Sequence, residues 1–222
     1  MISAMQSGIG RRYATLRGLA RLALADLEHA VGRLRPFSEI DFSRITRFVF
    51  VCQGNVCRSC FAEFVARREG LPTASFGLAA GTGARAFAKA VEAATAFGID
   101  LEPHRVTSVD DFEVVPGDLL VTMEVRQARR LVSTVQDRSV QITLIGLWSR
   151  PFRPHLHDPY EHGMDYFDTC FRVLESGVRE LAATWHAGTT NKDGGAGADG
   201  ASPHRPAAPA AAETGLPVEG QR

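Results

Sequence analysis

The segment Val51-Cys52-Gln53-Gly54-Asn55-Val56-Cys57-Arg58-Ser59 sets a thiol six residues ahead of a guanidinium, with a glycine and an asparagine between them. A phosphate group needs several hydrogen-bond donors converging on it. A strand that turns sharply into a helix supplies them as consecutive backbone N–H groups and the positive end of the helix dipole. Gly54 permits close backbone approach and Asn55 tolerates the left-handed region, so the stretch from Gln53 to Ser59 suits a loop that curls its amides inward. Arg58 adds a planar fork matching two phosphate oxygens. The same positive surroundings favour the thiolate of Cys52 and so make it a nucleophile, and the hydroxyl of Ser59 suits a hydrogen bond to that sulfur.

Such a loop needs a strand before it and a helix after it, and both are legible. Ile45 to Val51 is β-branched and aromatic and reads as a buried strand; Phe61 to Arg68 reads as a helix. Further along, Ser75 to Ala79 reads as a second strand and Ala84 to Phe97 as an Ala-rich helix stopped by Gly98. Asp118 to Met123 is a third strand, followed by a short charged helix to about Val132, and Gln141 to Ile145 is a fourth strand. A long final helix spans Asp165 to about Trp185, with Phe167, Phe171, Leu174, Val178 and Leu181 along one face. Strands alternating with helices predict an α/β fold with a parallel sheet and right-handed crossovers. Its ligand site lies at the carboxyl ends of the strands, where Cys52 falls.

The flanks differ from this middle. Leu16, Leu19, Ala23, Leu27, Ala30 and Leu34 recur at steps of three and four, which predicts an amphipathic helix within residues 11–35, ending near Pro36. The mixed charge of its polar face favours packing on its own domain or on a second subunit over a membrane-surface role. From about Gly188 the chain is dominated by Ala, Gly and Pro, which reads as a disordered tail. The expected organisation is an N-terminal helical extension (1–45), a catalytic domain (46–187) and a tail (188–222).

Lys plus Arg and Asp plus Glu both number 25, so no net field argues for nucleic acid. Neither a signal peptide nor a transmembrane stretch is expected, and the free cysteine usage fits a reducing cytoplasm. Cys52, Cys57 and Cys60 are spaced poorly for a zinc site, which needs four donors, so no metal or other cofactor is expected. His155, His157 and His162 read as solvated loop histidines, and Cys170 as a core residue.

In this context the pattern VCxGNxCRS closely resembles the low-molecular-weight phosphotyrosine phosphatase family. Asp158-Pro159-Tyr160, ahead of the final helix, matches the family's second hallmark, and the resemblance covers roughly residues 46 to 185. It implies a three-layer sandwich of the flavodoxin-like or Rossmann-like kind with a four-stranded parallel sheet. It implies Cys52 as nucleophile, Arg58 and the amides of Gln53, Gly54, Asn55, Val56, Cys57 and Ser59 as the phosphate cradle, and Asp158 as general acid. Tyr160 would line the entrance for a phosphotyrosine ring, His104 would help brace Asn55, and Cys57 would protect Cys52 through a reversible disulfide. A phosphotyrosine-bearing protein is the implied substrate, with a tyrosine kinase of surface-polysaccharide export as the implied partner.

Several positions depart from the family pattern. Cys60 replaces a proline, Glu124 follows Met123 where aspartate is usual, and Ala79 replaces a serine that braces the loop asparagine, so an incomplete brace is expected. The stretch between Thr82 and Val91 lacks the Gly-x-Pro segment that forms one wall of the cleft. Two other functions compete. Arsenate reduction on a related fold needs resolving cysteines, and none lies between Cys60 and Cys170. The other is a phosphate-binding regulatory module without turnover.

Overall fold

The computed structural model describes residue 8 and residues 10–193. Its elements are α1 (Leu16–Ala30), β1 (Arg47–Cys52), α2 (Arg58–Arg68), β2 (Thr73–Gly77), α3 (Ala88–Thr95), β3 (Asp118–Thr122), α4 (Val125–Thr134), β4 (Gln141–Leu144) and α5 (Met164–Asp193), with short 3-10 turns between several of them. The strands form one sheet in the order β2-β1-β3-β4, and each neighbouring pair is parallel. This is the α/β sheet that the alternation of strands and helices predicts.

The two central strands are buried on both faces, which is why they read as continuous apolar runs. Successive side chains alternate between two cores. Val49 and Val51 join Phe76, Leu120 and Leu131, while Phe48, Phe50 and Cys52 join Leu119 and Val121 beneath α2 and α5. Phe61 of α2 stacks on Phe171 of α5 with centroids 3.8 Å apart. Truncating one such ring to alanine would cost about 3–5 kcal/mol.

At two boundaries that differ from the sequence expectation, the displaced residues contact the loop after β1. β2 ends at Gly77 because Leu78 and Ala79 leave the ladder and donate their N–H groups to the carbonyls of Cys52 (3.0 Å) and Gln53 (2.9 Å). Residues 84–87 are not helical. Val106 N–H donates to Ala84 O and Phe87 N–H donates to Val56 O, so this stretch is tied across the molecule before α3 begins. Gly98, at φ +67°, then stops α3 as expected. α5 runs beyond Trp185 to Asp193, through the first residues of the expected tail. Residues 194–222 lie outside the described residues.

α1 overturns the expected burial pattern. It starts at Thr15, whose side chain caps Gly18 N–H, and stops at Ala30, ahead of Gly32 in the left-handed region at φ +79°. Of the predicted apolar face, only Leu34, beyond the helix, is buried; Leu16 and Leu27 are 70% and 59% exposed, and Ala23 and Ala30 are exposed as well. The helix instead buries Gly18, Ala25 and Glu28. A Cβ on Gly18 would lie 2.2 Å from Tyr13 O and 3.2 Å from the His157 ring, so glycine is what allows this approach. Polar contacts hold the helix in this orientation: Glu28 pairs with Arg129 at 3.0 Å, and Arg21 lies 3.9 Å from Glu124. Among the described residues no helix is long and apolar enough to cross a membrane.

Candidate active site

β1 delivers Cys52 to the carboxyl edge of the sheet, and the chain enters α2 at Arg58 after five intervening residues. Asn55 sits in the left-handed region at φ 53°, which asparagine adopts at low cost, and this turns its N–H to Cys52 Sγ at 3.2 Å. Ser59 Oγ lies 3.0 Å from the same sulfur. The nucleophile candidate therefore meets a backbone amide, a hydroxyl and the N-terminus of a helix.

The loop is braced on every side, contrary to the incomplete brace expected from Ala79. Asn55 Nδ2 donates to Ser59 Oγ and to Ser75 Oγ, both at 2.8 Å, and Thr107 N–H donates to Asn55 Oδ1 at 2.9 Å. Ser75 in turn donates to Glu63 Oε2 at 2.6 Å. His104 Nε2 lies 2.8 Å from Asn55 O, and burial of its ring lowers its pKa, which keeps it neutral. Ser75, four positions ahead of the missing serine, thus supplies the hydroxyl from β2. Sequence reasoning missed Ser75 and Glu63. The available signal was Gly77, on the same face of the strand as Ser75. A Cβ there would lie 3.0 Å from Asn55 N and from Gly54 C, so only glycine lets the loop rest on β2.

Arg58 is fully buried. One terminal nitrogen donates to Glu124 Oε1 (2.9 Å) and Leu156 O (2.8 Å), the other to Asp158 Oδ2 (2.6 Å), and Nε has no partner. Burial alone would lower its pKa; Asp158, Glu124 and Cys52 together outweigh that and hold the guanidinium charged. Glu124 shows the converse. Burial would raise it, but Arg58 and the hydrogen bonds from Arg126 and Arg58 bring it down to about 2. The Glu124 carboxylate is thus a fixed anchor for one arm of the fork, while Asp158, about a third exposed, is the partner that can exchange. Asp158 also accepts the Tyr160 N–H through Oδ1 at 3.3 Å, which steadies the turn carrying both residues.

The entrance is aromatic. Tyr160, 47% exposed, lies over Phe87 with centroids 4.5 Å apart, so the stretch 84–87 supplies the wall that the missing Gly-x-Pro segment leaves. Of the three histidines expected to be solvated, His155 is buried and His157 and His162 are half-buried, with Gly18 of α1 close against the His157 ring; burial lowers His155 to about 4. Cys57, Cys60 and Cys170 are buried thiols, and burial pushes all three up, Cys170 to about 12. Among the described residues no cluster of three or more His, Cys, Asp or Glu could hold a metal ion.

Residues 47–192 match the family model described as low molecular weight phosphotyrosine protein phosphatase. The chain is 32% identical over 143 residues to the low molecular weight protein-tyrosine-phosphatase Wzb of Salmonella typhi, covering 64% of this chain and 95% of that protein. It is 30% identical over 139 residues to Wzb of Escherichia coli K12, covering 62% and 93%. Among solved structures, the low molecular weight protein tyrosine phosphatase from T. tengcongensis matches at 28% identity and a TM-score of 0.56, over 63% of this chain and 99% of that one. The arginine phosphatase YwlE from Geobacillus stearothermophilus, at 20% identity and a TM-score of 0.58 over 66% and 96%, shares the fold. Since the match begins at the first residue of β1 and runs into α5, this chain belongs to the low molecular weight phosphotyrosine protein phosphatase family.

Proposed function

We propose that the protein hydrolyses phosphotyrosine on protein substrates, a tyrosine kinase among them, with Cys52 as nucleophile. The observation that carries this is the position of Cys52 Sγ, held between Asn55 N–H and Ser59 Oγ at the start of the helix that Arg58 opens. The thiolate attacks phosphorus, forming an S–P bond as the bond to the tyrosyl oxygen breaks, and the carboxyl group of Asp158 gives its proton to the departing phenolate. Arg58 exchanges its contact with Asp158 for the phosphoryl oxygens while Glu124 keeps the guanidinium in register. The amides of Gln53 to Ser59 take the remaining charge. In the second half the Asp158 carboxylate removes a proton from water, whose oxygen attacks phosphorus. The S–P bond breaks, Ser59 hydrogen-bonds the returning thiolate, and inorganic phosphate leaves.

Tyr160 and Phe87 form the lip against which a substrate ring would stack. His104 acts through Asn55 by holding its carbonyl. Cys57 would form a disulfide with Cys52 when a peroxide accepts the two electrons, and a thiol would reverse it. Hydrolysis of p-nitrophenyl phosphate and of a phosphotyrosine peptide, by wild type and by Cys52→Ser, tests the reading: turnover only in the wild type is expected, and an inactive wild type would leave the phosphate-binding module as the better account.

A further inference from the structure

α1 carries a face that nothing in the described structure covers. Leu16, Leu24, Leu27 and Val31 are 70%, 56%, 59% and 61% exposed and recur at spacings that place them on one side of the helix. Large aliphatic side chains gathered in this way mark an interaction surface rather than scattered surface residues. The opposite face cannot be what binds elsewhere, because Gly18, Ala25 and Glu28 are already packed against the body, and Glu28 is tied to Arg129 of α4.

The surroundings say what fits this face. The chain as a whole balances 25 cationic against 25 acidic residues, yet residues 11–35 carry Arg11, Arg12, Arg17, Arg21, Arg33 and Arg35 against Asp26 and Glu28 alone. Acids outside this stretch pair with some of them, Asp165 with Arg11, Glu39 with Arg35 and Glu124 with Arg21, and Arg129 of α4 takes up Glu28, which leaves the cations in excess. The pKa of Arg21 is lowered by burial and by the neighbouring charges of Arg17 and Arg126, as expected where cations crowd one another. A second copy of the chain would set one arginine excess against another. The chain's own residues 194–222 hold only Leu216 and Val218 as large apolar side chains, too few to fill the stripe. Apolar side chains bordered by arginines are complementary to an anionic bilayer surface, where the leucines enter the acyl boundary and the guanidinium groups meet headgroup phosphates.

Because the stripe is exposed rather than packed, we propose, against the packing role that the mixed charge of the helix predicts, that α1 docks this protein on an anionic lipid surface through Leu16, Leu24, Leu27 and Val31, with Arg17 and its neighbours on the headgroups. α1 also touches His157 and lies 3.9 Å from Glu124 through Arg21, so docking holds the Cys52 pocket beside the bilayer. On the phosphatase reading above, this selects phosphotyrosine presented close to a membrane.

Co-sedimentation of the full chain with vesicles of mixed phosphatidylglycerol and phosphatidylcholine, against phosphatidylcholine alone, tests the docking. Binding to the anionic vesicles is expected, weakened by salt and reduced at least about tenfold in Leu24→Glu/Leu27→Glu. Neither residue touches the site, so p-nitrophenyl phosphate hydrolysis should be the same in both proteins, and that readout reports on the phosphatase reading separately. No vesicle binding by the wild type, or binding that the double variant retains, overturns the proposal. So does sedimentation equilibrium showing a dimer that the double variant abolishes without any vesicle binding, which would make the face a contact between copies.

Discussion

Arg58 and Asp158, a hundred residues apart, meet at 2.6 Å: the arginine fully buried, the carboxylate about a third exposed. The residue that would bind phosphate is thus held by the residue that would protonate the leaving group. Asp158→Ala removes both the hold and the proton. Turnover should fall by about 10²–10⁴-fold for aryl phosphates with poor leaving groups and much less for p-nitrophenyl phosphate. Inhibition by inorganic phosphate at neutral pH should tighten, by no more than about fivefold, the scale of a partly exposed ion pair. Equal losses across leaving groups would remove Asp158 from the acid role.

Ser75 is the hydroxyl through which Glu63 and Asn55 are joined. Ser75→Ala leaves Glu63 Oε2 and one Asn55 hydrogen without this partner in a buried setting, which costs about 1–3 kcal/mol. A lower midpoint in urea, together with a lower kcat, is the expected outcome. If kcat were unchanged, the brace would be structural only.

Gly77 meets the loop where a side chain cannot. Gly77→Ala would place a Cβ 2.7 Å from that of Ala80 and 3.0 Å from loop backbone, so the loop must move away from β2. We expect a loss of roughly 1–3 kcal/mol in stability and a larger proportional loss in phosphate affinity. Phosphate titration by calorimetry, with thermal melting on the same samples, separates the two effects.

His155 makes stability depend on pH. Burial holds its folded pKa near 4 against an ordinary 6.5, so between those values the unfolded chain binds more protons. Stability therefore falls as pH drops from 6.5 to about 4, by on the order of 3 kcal/mol, and this group adds no further loss below that. Glu124, near 2 against an ordinary 4.5, contributes stability that is present above 4.5 and lost as pH falls towards 2. Urea denaturation at several pH values should show a shallower decline between 6.5 and 4 in His155→Leu than in wild type. Parallel curves would place the acid sensitivity elsewhere.

Much of this was legible in the sequence, and which parts were follows from range. The chemistry of the loop lies in contiguous residues, where Cys52, the left-handed Asn55 and Arg58 fix their own geometry between a strand and a helix. The parallel sheet follows from apolar runs alternating with helical periods, because burial on both faces leaves that signature in the chain itself. Tertiary structure alone decided the rest. The replacement of a missing serine by Ser75, the wall made by Phe87 and the anchoring of Arg58 by Glu124 depend on distances between segments, and a residue's partner there is set by how β2, α2 and β3 pack. The periodicity of α1 gave Leu16 and Leu27 of the exposed stripe, but not Leu24, Val31 or the direction in which the stripe points. Glu28, Gly18 and Arg21 found better partners on the body than the leucines did, and so the apolar face of α1 points outward.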